Sequence, residues 1–114
     1  GQPIIRYQQI GARLAQVASE IEAARLLTYK AAWTIDQNMV DPMLTSMAKL
    51  YASRVAVKAT DASVQTLGGY GYLGEYKVER GYRDAKVTEI YEGTSEIQRL
   101  AILKQLIKRL KDQR

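Results

Sequence analysis

The sequence contains no cysteine and no histidine. Without cysteine there is no disulfide and no thiolate metal site. With histidine missing too, neither a zinc centre nor a Ser-His-Asp triad can be assembled from this chain, so no metal is expected. Proline occurs only twice, at Pro3 and Pro42, and neither falls inside a helical pattern. No apolar run approaches the length needed to cross a bilayer, and no signal-peptide pattern opens the chain. The first residue is Gly rather than Met, which fits a trimmed product or a recombinantly expressed piece. Internal repeats and low-complexity tracts are also missing. These absences lead us to expect a soluble, intracellular protein.

What is present suits one domain spanning 1–114. The 114 residues, 46% of them hydrophobic, can bury one modest core, and that content argues against disorder. The net charge of +5 raises the question of nucleic acid, but the 17 basic residues are spread among 12 acidic ones. The single concentrated run, Lys104, Lys108, Arg109, Lys111 and Arg114, falls near the C-terminus. There it complements a helix dipole and reads as a solvated face rather than a phosphate-binding stripe.

Periodicity predicts an all-α antiparallel bundle. From about 4 to 35, Ile10, Leu14, Val17, Ile21, Ala24, Ala31 and Ile35 recur mostly at three- and four-residue steps. That makes one helix of roughly 48 Å at about 1.5 Å per residue. Tyr29 and Trp33 near its end would close the core or form part of an interface. Asp41-Pro42 starts a second helix, with Asp as N-cap and Pro at the first helical position, running to about 67. Its small residues (Ala48, Ala52, Ala56, Ala59, Ala62, Ser63) would let other helices approach closely. Gly68-Gly69 then ends it. A short helix is expected over 75–86, with Arg83 and Asp84 forming an ion pair or fixing the next turn. Residues 87–91 have β-branched content but no partner strand, so an extended loop is expected there. A final helix over about 95–111 places Leu100, Leu103, Ile107 and Leu110 on one stripe.

Two segments hold candidate chemistry. Gly68-Gly69-Tyr70-Gly71-Tyr72-Leu73-Gly74 could bring backbone N–H groups against a phosphate, or could be a turn with aromatic plugs. It lacks the spacing of a dinucleotide fingerprint or P-loop. In Tyr91-Glu92-Gly93-Thr94-Ser95-Glu96-Ile97-Gln98, Ser95 with Gln98 reads as a capping box, and Thr94 is an alternative cap. Either choice leaves Glu92 and Gly93 just outside a helix N-terminus, where unpaired N–H groups favour anions or charge developing on a carbonyl oxygen. A glutamate there is either a general base or a residue that simply complements the dipole.

The stretch from Ile90 to Leu100 resembles the signature that carries the catalytic glutamate of short- and medium-chain acyl-CoA dehydrogenases. Gln65-Thr66-Leu67-Gly68-Gly69-Tyr70-Gly71-Tyr72 and Arg83-Asp84-Ala85-Lys86 agree with that family in order and spacing. Gly1-Gln2-Pro3-Ile4 resembles its Phe-Gly-Lys-Pro-Ile lead-in to the C-terminal domain. The resemblance covers essentially all 114 residues, which correspond to about the last third of a full member. It implies the family's C-terminal bundle without its first helix, the N-terminal helical domain or the middle β-domain.

The resemblance further implies α,β-dehydrogenation of an acyl-CoA to a trans-2-enoyl-CoA, with FAD as hydride acceptor and Glu92 as the base. Tyr91 and Gly93 would contact the substrate. Thr94, Ser95 and Glu96 would touch the flavin nucleotide, although several family members carry glutamine in place of Glu96. Gln8 and the segment Gln65, Thr66, Leu67, Gly68 and Gly69 would serve the FAD of a neighbouring subunit, with Leu67 replacing the family's common phenylalanine. A homo-oligomer is implied, a tetramer for full members, with electron-transfer flavoprotein as electron acceptor. The compartment would be the bacterial or archaeal cytoplasm or the mitochondrial matrix. The competing reading is a related helical assembly module without catalysis; in either case the isolated chain is expected to be inactive, because most of the flavin and CoA pocket would lie outside it.

Overall fold

The computed structural model describes residues 1–113 and contains helices only, with no strand among those residues. A 3-10 turn, Ile4–Arg6, leads into α1 (Gln8–Asp36). Next come α2 (Pro42–Leu67), the single turn α3 (Gly69–Tyr72), α4 (Val78–Val87) and α5 (Ser95–Asp112). The all-α expectation holds, and the three long helices fall within a few residues of their expected bounds.

Every other helix packs on α2. Ala31 clusters with Leu44 and Ala48, with Leu27 alongside, while Glu20 pairs with Lys58. Numbers fall on one helix as they rise on the other, so α1 and α2 run antiparallel. The same holds for α5, where Gly93 meets Lys49 and Arg109 meets Asp41. Ala48, Ser53, Val55 and Ala62 of α2 are buried, and their small size allows helices to approach from several sides. Among the described residues the backbones of α1, α4 and α5 each approach α2 closely but not one another. The result is an elongated array around one helix, 63 × 26 × 26 Å, rather than a closed bundle.

That geometry leaves much apolar surface uncovered. The radius of gyration is 17.7 Å, against about 13 Å for a compact chain of this length. The accessible surface is 8535 Å², whereas a monomer of this mass typically exposes about 6,300 Å². The leucine stripe of α5 faces outward: Leu100 is 60% and Leu110 64% exposed. Tyr29 and Trp33 lie at 64% and 55%, so they do not close the core and instead form part of an exposed face. The isolated chain is therefore expected to self-associate. Sedimentation showing a strictly monomeric species at high concentration would contradict this.

The Asp41 cap is the best-anchored helix end. Its Oδ1 accepts from the Met43 and Leu44 N–H groups, and its Oδ2 accepts from Arg109 of α5 at 2.8 Å. Partial burial pushes its pKa up, but Arg109 and the two backbone donors together outweigh this and hold the carboxyl below the usual range. A depressed folded-state pKa contributes stability above the ordinary carboxylate pKa, and that contribution is lost as pH falls through the folded value. Asp41→Ala should cost about 1–2 kcal/mol near neutral pH, chiefly through the lost cap. The difference from wild type should shrink in acid, as followed by denaturant unfolding.

Three local expectations need correction. The short helix starts at Val78 rather than residue 75, because a 3-10 turn (Gly74–Tyr76) and a left-handed Lys77 precede it. Asp84 pairs with Arg80, one turn away, not with Arg83, since adjacent helical residues do not face each other. The segment after Val87 is not extended. Thr88, Glu89 and Ile90 donate to the carbonyls of Ala85, Lys86 and Val87. With no strand to pair with, these backbone groups are satisfied locally in spite of their β-branched neighbours.

Candidate active site around Glu92

The turns after α4 deliver a tight loop to the start of α5. Glu92 has φ 49° and Gly93 φ 94°, two consecutive residues in the left-handed half of backbone space. For Gly93 this is ordinary, and a Cβ there would also lie 2.7 Å from Gln98 Nε2. For glutamate it is uncommon and must be held by its surroundings. Three restraints hold the loop. The Ser95 N–H donates to the Glu89 carbonyl at 3.0 Å. Lys49 Nζ, from α2, donates to the Gly93 carbonyl at 2.7 Å. Gln98 Nε2 reaches the carbonyls of Glu92 and Gly93 at 3.5 and 3.4 Å.

The cap of α5 is Thr94, whose side chain accepts from the Ile97 N–H. Ser95 is the first helical residue, so the capping box centred on it does not form. Gln98, which would have closed that box, is directed to the loop carbonyls instead. Ser95 is only 6% exposed and its hydroxyl has no protein partner; the Thr66 hydroxyl is likewise buried without one. Glu96 is exposed, and its own backbone N–H, Arg99 and Thr94 lower its pKa, so it stays anionic at neutral pH.

Glu92 and Tyr91 line a cavity of about 320 Å³ against Lys49, Ala52, Ser53 and Thr88. The N–H groups of Glu92, Gly93 and Thr94 make no backbone hydrogen bond among the described residues. A carboxylate and a wall of small residues therefore share one concavity, with unpaired backbone donors in the same loop. That combination suits proton abstraction next to a carbonyl whose oxygen gains charge. A larger open cavity, about 460 Å³, lies among α1, α2 and α4. It is lined by charges of both signs, including the paired Glu20 and Lys58, and by none of the candidate residues.

The remaining candidates form a second group. Gln8 is the first residue of α1, and Gln65, Thr66 and Leu67 are the last turn of α2. Gln65 lines a shallow cavity with Arg13 and Gln16 of α1. Gly68 has φ 58° and ψ −135°, a conformation open essentially to glycine alone. Gly69 has nothing within 4 Å of where a Cβ would be added, so its backbone is open to close approach. From Lys49 to Gln65 along α2 is about 24 Å at 1.5 Å per residue, so the two groups are not brought together within one chain.

The family described as "Acyl-CoA dehydrogenase, C-terminal domain" matches residues 1–107. This chain belongs to that family. Among the relatives of this acyl-CoA dehydrogenase C-terminal domain is cyclohexane-1-carbonyl-CoA dehydrogenase of Geobacter metallireducens, 47% identical over 95% of this chain and 28% of that protein. The butyryl-CoA dehydrogenase structure from Megasphaera elsdenii superposes with a TM-score of 0.91 at 44% identity, covering 94% of this chain and 28% of that one. An FAD complex of PigA superposes with a TM-score of 0.89 at 29% identity, covering 96% and 28%. The chain thus spans just over a quarter of the length of the proteins it matches.

The two candidate segments of this acyl-CoA dehydrogenase domain hold the buried hydroxyls of Thr66 and Ser95, which have no protein partner, and, at Gly69, backbone open to close approach. Lys49 is a functional candidate that sequence reasoning passed over, and Gln98, expected only in the helix cap, joins it. The available signal was a lysine sharing a helical face with Ala52, Ser53 and Ala56, where a charge among small residues needs a partner.

Proposed function

We propose that the chain is the C-terminal part of an FAD-dependent acyl-CoA dehydrogenase that oxidises acyl-CoA to trans-2-enoyl-CoA, with Glu92 as the base. The observation that carries this reading is the left-handed Glu92, beside three free N–H groups, in a concavity walled by small residues of α2. A thioester α-proton is a very weak acid and a solvated carboxylate a weak base. Covering the exposed Glu92 with an apolar acyl chain would strip the water that weakens a carboxylate as a base and narrow that mismatch. The free donors beside it would stabilise charge developing on the thioester oxygen. Gly93 lets the thioester lie close to the backbone, and Tyr91 lines the acyl side. When bound, FAD supplies the acceptor for the β-hydride.

Thr94, Ser95 and Glu96 would hold the flavin nucleotide that completes the site around Glu92. Gln8 and Gln65–Gly69 would hold the flavin of a neighbouring subunit, which the separation of the two groups along α2 supports. The exposed leucine face of α5 and the aromatic end of α1 supply surface for such an oligomer. Electron-transfer flavoprotein is the proposed electron acceptor. A non-catalytic assembly module would use the same apolar faces but has no need of a strained glutamate. The whole enzyme should show a flavin spectrum and oxidise acyl-CoA; a whole protein that did neither would favour the assembly module.

A further inference from the structure

We infer that Lys49 is a positioning residue for Glu92, acting through the Gly93 carbonyl; this rests on the proposed role of Glu92 as base. Lys49 is half-buried on α2, and its ammonium donates to Gly93 O at 2.7 Å across a sequence separation of 44 residues. It forms no ion pair among the described residues, with Glu92 or any other acid. A partly buried ammonium ordinarily takes a carboxylate partner. Here the charge is directed to a neutral backbone carbonyl on the residue next to Glu92. The Gln98 amide bonds are much longer, 3.4 Å to the same carbonyl and 3.5 Å to that of Glu92. The Lys49 bond is therefore the strong restraint on the left-handed pair Glu92–Gly93, because charge-assisted hydrogen bonds are shorter and stronger than neutral ones.

The arrangement separates two roles. Lys49 and Glu92 line the same cavity, yet the ammonium binds backbone and leaves the carboxylate unpaired, free to accept a proton. Anchoring the carbonyl of Gly93 to α2 also fixes the plane of the peptide joining Gly93 to Thr94, and with it the direction of the Thr94 N–H. Since α2 is the helix on which all others pack, the loop is referenced to the most fixed element of the fold. A misplacement of the order of 1 Å at a reacting group can cost about 10²-fold in rate.

The test uses the whole enzyme carrying Lys49→Met or Lys49→Arg, with two readouts. The first is amide hydrogen exchange without substrate, in a peptide covering 90–97. Lys49→Met should speed exchange there by about tenfold and leave the centre of α2 and the later turns of α5 unchanged. The second is kinetics: kcat should fall by about 10–100-fold, with KM and flavin content within about twofold of wild type. Lys49→Arg, which keeps a charged donor, should recover most of both. Unchanged exchange in 90–97 would overturn the proposal, as would a rise spread equally through α2 and α5. So would faster loop exchange with undiminished kcat in an enzyme that Glu92→Gln inactivates. A Glu92→Gln enzyme with normal turnover would instead overturn the base assignment, a failure that the exchange readout keeps distinct from failure of the tether.

Discussion

Replacing Glu92 with glutamine in the whole enzyme is expected to slow acyl-CoA oxidation by about 10⁴-fold while leaving flavin content and acyl-CoA binding nearly intact. Loss of a general base commonly costs about 10²–10⁴-fold, or about 3–5 kcal/mol of barrier. The upper end is expected because the proposed reaction couples removal of the α-proton to departure of the β-hydride, so loss of the base slows both. The amide is nearly isosteric with the carboxylate, and the left-handed backbone at position 92 is held by contacts to Gly93 and Ser95 rather than by the Glu92 side chain. Binding should therefore survive, and kcat should carry almost the whole effect.

In the whole enzyme, a bulky side chain at Gly69 should weaken flavin retention by at least about tenfold, or about 1.4 kcal/mol, with helix content unchanged. The two adjacent glycines allow this separation. Gly68 needs its positive φ to end α2, so Gly68→Ala should disturb the backbone itself. Gly69 has no such need, and its Cβ position is open. Gly69→Leu should therefore fold and fail only where another molecule approaches the loop. Retained absorbance at flavin wavelengths after gel filtration, set against far-ultraviolet circular dichroism, measures the two quantities side by side. Equal loss of both would make the loop purely structural.

Most of the architecture was legible because helical periodicity and helix-end chemistry are local. Asp41-Pro42 marks the start of α2 to the residue, and Gly68 marks its end, since each serves a backbone requirement that few other residues meet. Partners are less local. The period of α5 identifies a leucine stripe but not what covers it, and in this chain the stripe faces away from α2. Residues 87–91 carry a strand-like composition that only the absence of a partner strand overrides. The choice between Thr94 and Ser95 as cap turns on where Gln98 points, and that depends on carbonyls freed by the left-handed loop.

The candidate site was legible through its motif, and its support was not. Glu92, Gly93 and the flanking hydroxyl residues stand together in the sequence, whereas Lys49 reaches the loop only through the packing of α2 against it. Positive φ at a non-glycine residue leaves no mark on composition. The division of candidates into two groups along α2 likewise follows from the antiparallel arrangement of α1 and α2, which brings Gln8 to the end of α2 remote from Glu92.

The most direct measurement of the central claim is flavin bleaching when acyl-CoA is added to the whole enzyme without oxygen, compared between wild type and Glu92→Gln. Bleaching reports transfer of electrons from substrate in a single turnover, free of product release and of any downstream acceptor. Wild-type flavin should bleach rapidly, and the Glu92→Gln flavin should bind substrate yet stay oxidised over the same interval. If the Glu92→Gln protein bleaches at a near wild-type rate, Glu92 is an ordinary residue at a helix start and the proton is taken elsewhere.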